Sequence, residues 1–354
     1  MTTPALLPTT VIGSYSVPDW LERARTDYHR GRISSVQLGS IHDVCVKAAL
    51  KDQELAGIDI VSDGELRRDN DIDYVLARLP GVRIAPTTKD SAYDYFDAYV
   101  DAALPEDDPP ELGLARDYAF ASAHTDRPAK FSFTGPFSLS RRIHNHGYRQ
   151  PADLVRAIAR LLNAEMHALA AAGATILQID EPFLAGYPDE AALAVEAVNI
   201  VTAGVNAQWS LHVCYGNRYA RPSWEGHYDF LFPAVHKAEV DVLALEFARK
   251  GYDDLDLVTR AGWDRTIGLG VIDVKNTRVE PVDLIVARLR RALRLLPPER
   301  IQVNPDCGLR HLPTPIATAK LQVMVHATRL VRDEIDAHAR GTDSGAANQE
   351  DRSE

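Results

Sequence analysis

Two cysteines, a histidine and a glutamate stand at the ends of apolar runs in the second half of the chain, and their types make a zinc donor set. His212 and Cys214 lie two apart in LHVC, and alternation along a strand puts such a pair on one face. Glu246 is the charge near the end of the apolar run VDVLALEF, and Cys307 follows VNPD. Soft sulfur with imidazole and carboxylate in four-fold coordination suits Zn2+. Zinc favours the thiolate of a bound thiol, which is its nucleophilic form, so alkylation of a small thiol is the chemistry expected. His212 and Cys214 alone are a weak signal, because a buried cysteine is commonly just a small hydrophobe. What strengthens the set is that all its members fall at run ends. Cys45 sits on the apolar face of a helix and reads as core.

A second group accompanies the first. Ser14 follows VIG, Glu65 follows SDG, Asp180 and Glu181 precede Pro182, and Asp273 and Lys275 follow GLGVI. Carboxylates opposite a zinc site suit a substrate ammonium. Acids at strand-to-helix turns also cap helices, and for Asp180-Glu181-Pro182 that reading stands beside the first.

These residues need a scaffold that brings run ends to one rim. Eight β-rich runs are visible, at 9–15, 58–64, 130–135, 175–180, 208–214, 240–247, 266–274 and 300–305. Helical periodicity fills most of the gaps, at 40–56, 152–172, 188–203, 281–296 and 315–331. The alternation predicts an α/β fold, a (β/α)8 TIM barrel with its active site at the C-terminal strand ends; a doubly wound open sheet is the rival. Residues 1–340 read as a single barrel with an insertion at about 73–129, between strands 2 and 3. The acidic, proline-rich stretch 101–111 makes that insertion either a solvated excursion or a lid. The small, polar residues 341–354 are expected to form a disordered tail.

Composition excludes other classes. The 354-residue chain carries a formal charge of -11, with 45% hydrophobic and 25% charged residues. An acidic protein without basic runs is not built for nucleic acid or for a membrane surface. It has no apolar stretch long enough to span a bilayer and no secretory pattern at residues 1–10. Three cysteines do not make a disulfide scaffold, so a cytoplasmic location is expected.

The motifs VIGSY, SDGELRRDN, TGP, LQIDEP, LHVCYGN, LALEF, GLGVIDVK and VNPDCGL occur in an order and spacing that resembles the catalytic domain of cobalamin-independent methionine synthases. The resemblance runs from about residue 9 to about residue 330, and the length is that of short, single-barrel relatives. It implies Zn2+ at His212, Cys214, Glu246 and Cys307, and it implies that Ser14, Glu65 and Asp180 hold the amino-acid end of homocysteine. Two positions depart from the full-length enzymes. Lys275 stands where they have a histidine thought to assist proton transfer, which makes Lys275 and Asp273 the catalytic candidates. After TGP the chain reads FSLSRR, without the tryptophan that faces the pterin.

The function expected is zinc-dependent methyl transfer to homocysteine, giving methionine. The donor is methylcobalamin or a folate, and a corrinoid protein is a candidate partner. Arg68, Arg141 and Arg142 are the candidate donor or anion contacts. They make methylcobalamin the better expected donor and methyltetrahydrofolate the poorer. Two other readings remain open: epoxide opening of the epoxyalkane:coenzyme M transferase kind, with Arg67, Arg68, Arg141 or Lys275 on a sulfonate, and a non-catalytic zinc barrel that binds a methyl-carrier protein.

Overall fold

The structure is a computed structural model that describes residues 6–90, 95–107 and 109–350. Among the described residues nine strands follow one another: β1 (Arg83–Asp90), β2 (Tyr95–Val100), β3 (Phe131–Thr134), β4 (Ile143–Asn145), β5 (Ile176–Asp180), β6 (Gln208–Val213), β7 (Val242–Leu245), β8 (Thr266–Ile272) and β9 (Ile301–Pro305). Six of them form one sheet in the order β3-β5-β6-β7-β8-β9, parallel throughout. Parallel neighbours need helical crossovers, and the long helices Pro151–Ala171, Ala191–Thr202, Val282–Leu293 and Thr314–Glu350 lie among them in the chain.

Two short segments close the ring. Thr9 bridges to Val303 of β9, Thr10 to Ile60, and Val61 to Ala129 beside β3, all parallel. Segments 9–10 and 60–61 thus occupy the first and second places of an eight-membered barrel, as the sequence predicts. Their pairing stops early because the carbonyls of Val11, Ile12 and Gly13 accept hydrogen bonds from side chains, those of Lys130, Gln178 and Ser62.

Alternation sorts the strand residues. Phe133, Ile179, Leu211, Leu243, Ile267 and Ile301 lie in register around one level and are buried in the hydrophobic core. The next level, Thr134, Asp180, His212, Ala244, Gly268 and Gln302, is polar or small. Barrel interiors are usually filled by bulky branched residues. A polar inner layer near the strand ends marks where the chemistry is.

The insertion is a small sheet. β1 pairs antiparallel with β2, and β2 pairs parallel with β4. β4 lies after β3, outside the expected 73–129, because three residues (IHN) are too short to register as a strand in the sequence. The expected disordered tail also differs: the last helix continues to Glu350, ten residues past Arg340. No proline follows Pro315, so nothing in that stretch forces the helix to stop. Among the described residues no helix is long and apolar enough to cross a membrane.

Candidate active site

The site is built from the ends of β6 and β9. His212 points its ring into the barrel with Nδ1 3.1 Å from the Ala244 carbonyl of β7. That acceptor places the proton on Nδ1 and leaves the Nε2 lone pair for another partner. Nε2 is buried and has no hydrogen-bond partner in the protein. Cys214, two residues on, and Cys307, just beyond β9, bring their sulfurs to 3.5 Å as free thiols. One ligand atom from each of the three residues lies within 4.8 Å of the others. Its hydrogen bond to Cys214, then burial, push the Cys307 thiol well above its ordinary value. An orphaned imidazole nitrogen beside two sulfurs is a donor set that fits zinc, and zinc deprotonates coordinated thiols.

Glu246, immediately after β7, is fully buried and stands outside that trio. Its carboxylate accepts from Lys275 Nζ at 2.7 Å, Arg249 Nε at 2.6 Å and the Tyr215 backbone N–H at 3.3 Å. Asp273 shapes the turn that delivers Lys275: its Oδ1 accepts from the Lys275 N–H at 2.8 Å, and its own N–H donates to Glu280 at 2.9 Å. Neither Asp273 nor Lys275 lines the cavity over the trio.

That cavity has a volume of about 590 Å³ and contains His212, Cys214 and Cys307 in its wall. Ser14, Glu65 and Asp180 line it too. Glu65 takes a left-handed φ of 58° and accepts from Ser132 Oγ at 2.8 Å, with Arg68 at 3.3 Å. Burial pushes the Glu65 carboxyl up to about 7 and the Asp180 carboxyl up to about 6. Asp180 accepts from Gln178 Nε2 at 2.7 Å. Its neighbour Glu181 points elsewhere, accepting from Phe137 N–H, Ser138 N–H and Ser138 Oγ. The two adjacent acids therefore divide the two readings of the sequence: Glu181 caps the turn after β3, and Asp180 faces the cavity.

The three arginines lie off the cavity wall. Arg68 is buried, donates to the Ser132 carbonyl at 2.7 Å and packs over Phe131. Arg141 pairs with Glu190 at 2.5 Å and lies over the Phe137 and Tyr187 rings. Arg142 lies over Tyr95. In this placement Glu65 and Glu190 meet the charges of Arg68 and Arg141, and the Tyr95 ring meets that of Arg142.

The chain matches the catalytic domain of the cobalamin-independent synthases over residues 7–330. It belongs to that family. A methionine synthase of Sulfurisphaera tokodaii is 36% identical over 330 residues, covering 93% of this chain and 94% of the relative. One from Saccharolobus islandicus is 35% identical over 332 residues, with 93% and 96% covered. In fold, the chain is similar to a B12-independent methionine synthase from a Shewanella species, solved in complex with selenomethionine, with a TM-score of 0.81 at 24% identity over 94% of this chain and 100% of that one. Within this cobalamin-independent synthase, several cavity residues escape the sequence reading. Trp224 and Phe183 line the cavity with ring centroids 5.3 Å apart. Tyr95 and Phe96 of the insertion join them. Asn217 lines it as well, with Nδ2 donating to the Gly308 carbonyl at 2.9 Å and a buried Oδ1 without a partner. The aromatic, glycine-containing loop YGNRYARPSW after LHVC was the available signal for Asn217 and Trp224.

Proposed function

We propose that this enzyme methylates the sulfur of homocysteine to give methionine, with zinc held by His212, Cys214 and Cys307 and with Glu246 as the fourth donor. The observation that carries the reading is the trio of ligand atoms within 4.8 Å of one another, two of its residues buried and Cys307 half-buried, in the wall of a cavity that also carries Glu65 and Asp180. A bound zinc supplies the charge that keeps the substrate thiol ionised at neutral pH. Glu246 shares its oxygens with Lys275 and Arg249, which weakens it as a donor and makes it the group most readily exchanged for substrate sulfur. Lys275 thus acts on Glu246 rather than on the substrate. Asp180 and Glu65 receive the substrate ammonium, and Ser14 receives its carboxylate. The sulfur lone pair forms the new S–C bond as the donor's bond to methyl breaks, and the electron pair leaves with the donor.

The methyl donor reads as a molecule with a flat conjugated ring. Trp224 and Phe183 offer the platform that the segment after TGP lacks, and stacking there adds about 0.5–1.5 kcal/mol beyond area burial. The volume favours a pterin-sized ring over a corrin, which would have to dock at the mouth. This reverses the ordering of donors expected from the missing tryptophan. Against the coenzyme M reading, Arg67 pairs with Asp43 at 2.5 Å, Lys275 with Glu246 at 2.7 Å, and Arg68 and Arg141 are engaged within the fold, so a sulfonate would have to meet Arg25, Arg218 or Arg310 of the cavity wall instead. We read residues 1–340 as one catalytic unit acting in the cytoplasm, where reduced Cys214 and Cys307 persist.

The test combines metal content with turnover. Wild type should carry about one zinc per chain and form methionine from homocysteine and methyltetrahydrofolate faster than from methylcobalamin. Cys307→Ser should lose most of the metal and the activity. Full zinc retention in both Cys214→Ser and Cys307→Ser would refute the site.

A further inference from the structure

The barrel interior holds a lysine that the chemistry above does not use. Lys130 lies one residue before β3, is 3% exposed, and donates from Nζ to the Val11 carbonyl and to Gln178 Oε1, the latter at 2.6 Å. Burying an ammonium is costly unless it is fully engaged, and burial pushes this one down to about 7 even though the Asp180 and Glu65 carboxylates pull it up. A methionine or leucine would fill such a place without that cost, so the charge has something to do.

The geometry shows what it orients. A glutamine amide can present oxygen or nitrogen in either direction. Lys130 takes the Gln178 oxygen, and this forces the amide nitrogen the other way. That nitrogen donates to Asp180 Oδ1 at 2.7 Å and to the Ile12 carbonyl at 2.9 Å. Reversed, the amide would set oxygen against the Asp180 carboxylate and against a carbonyl. Lys130 and Gln178 also hold consecutive carbonyls, Val11 and Ile12, of the segment that ends at Ser14. The strand pairing described for this segment ends with the Thr9 and Thr10 bridges; beyond them the side-chain bonds to Val11 and Ile12 act together with Ser62 on the Gly13 carbonyl, Leu309 N–H on the Ser14 carbonyl at 2.8 Å and Tyr15 N–H on the Gly64 carbonyl at 2.9 Å to fix its tip.

We propose that Lys130 and Gln178 form a buried positioning pair that sets the distance and orientation between Asp180 and Ser14, and so binds the amino-acid end of homocysteine in one pose. The inference rests on the reading of Asp180 as the ammonium partner. Lys130 and Gln178 touch neither the substrate nor the metal trio. Their loss should therefore weaken homocysteine binding, while zinc content and the rate at saturation stay near those of wild type.

The experiment measures zinc content, homocysteine KM and kcat for Lys130→Met, Gln178→Leu, the double variant and Asp180→Asn in the zinc-loaded enzyme. Each single variant of the pair should raise KM roughly tenfold, the size of one lost charge-assisted hydrogen bond, with kcat within about twofold of wild type. The double variant should be no worse than the poorer single one, because the two act as a unit. Additive effects, or an equal fall in kcat with KM unchanged, would overturn the pairing. If Lys130→Met does not fold, Gln178→Leu and Gln178→Glu carry the same test, since a carboxylate beside Asp180 must raise KM further. An Asp180→Asn enzyme with unchanged KM would remove the ammonium reading itself. A raised KM in Asp180→Asn with no change in Gln178→Leu would remove the positioning pair alone.

Discussion

At the scale of single residues the site is a contest between burial and charge. Burial lifts the Asp180 carboxyl to about 6 and the Glu65 carboxyl to about 7, from ordinary values of 3.8 and 4.5. Groups with raised folded values favour their protonated form in the fold, so the free protein loses stability as pH rises through that window. A ligand ammonium needs the ionised forms and offsets their cost. Two expectations follow in the same direction: affinity for the amino-acid end rises from about pH 5 to about pH 8, and the thermal shift produced by ligand grows with it. Methionine is the better probe than homocysteine, because its sulfur does not titrate. Calorimetric titration with methionine across that range checks the slope, and Glu65→Gln with Asp180→Asn should flatten it. A pH-independent affinity in wild type would mean that neither carboxylate meets the ammonium. At this scale the sequence was informative about type and less so about direction. His212 and Cys214 could be placed on one face because strand alternation is rigid, and Cys307 could be placed near them because it follows the end of another strand on the same rim. The division of labour between Asp180 and Glu181 could not, since β5 ends at Asp180 and Glu181 lies past the strand, where no pleat defines its face.

At the scale of elements, buried carboxylates fasten loops to the barrel. Asp306 accepts from the N–H groups of Phe247, Ala248 and Arg249, which holds the turn that carries Glu246. Glu165 does the same at a distance. It lies on helix Pro151–Ala171 and accepts from Leu112 N–H at 2.6 Å, Leu114 N–H at 2.6 Å and Ala115 N–H at 3.0 Å. These are the unpaired donors at the start of helix Leu114–Ser122, whose own flanking residue, Gly113, provides no side chain to cap them. Glu165→Ala would leave buried N–H groups unsatisfied and should cost roughly 2–3 kcal/mol of unfolding free energy, read from the midpoint of a urea denaturation curve. A loss under about 0.5 kcal/mol would mean that water replaces the carboxylate. In the sequence Glu165 is one acid in an amphipathic helix, and its partners lie fifty or more residues away. Local pattern carries no trace of such a bond. The same limit explains the insertion: β2 and β4 are separated by the whole of β3, so their pairing is a tertiary fact.

At the scale of the molecule, the barrel rim and the insertion make one cavity. The barrel supplies the trio and the carboxylates, and Tyr95 and Phe96 of β2 bring the insertion into the wall. The eight-run pattern told the fold but not what else lines the cavity: Trp224 reaches it from the loop after β6, and Arg68 and Arg141 are held inside the fold. If the ring of the methyl donor lies on Trp224, removing that face should raise the donor's KM and leave the amino-acid end alone. Trp224 meets Phe183 edge to face at 5.3 Å, and Gly186 leaves room for its indole, which a side chain there would strike. Trp224→Ala should therefore raise the KM for methyltetrahydrofolate by roughly tenfold, from stacking and lost burial together. Methionine affinity and zinc content should stay as in wild type. Trp224→Phe should recover much of the loss, since a ring remains. An unchanged donor KM in Trp224→Ala, with a changed methionine affinity, would assign Trp224 to the amino-acid side and leave the donor to the mouth of the cavity, where a corrin could sit.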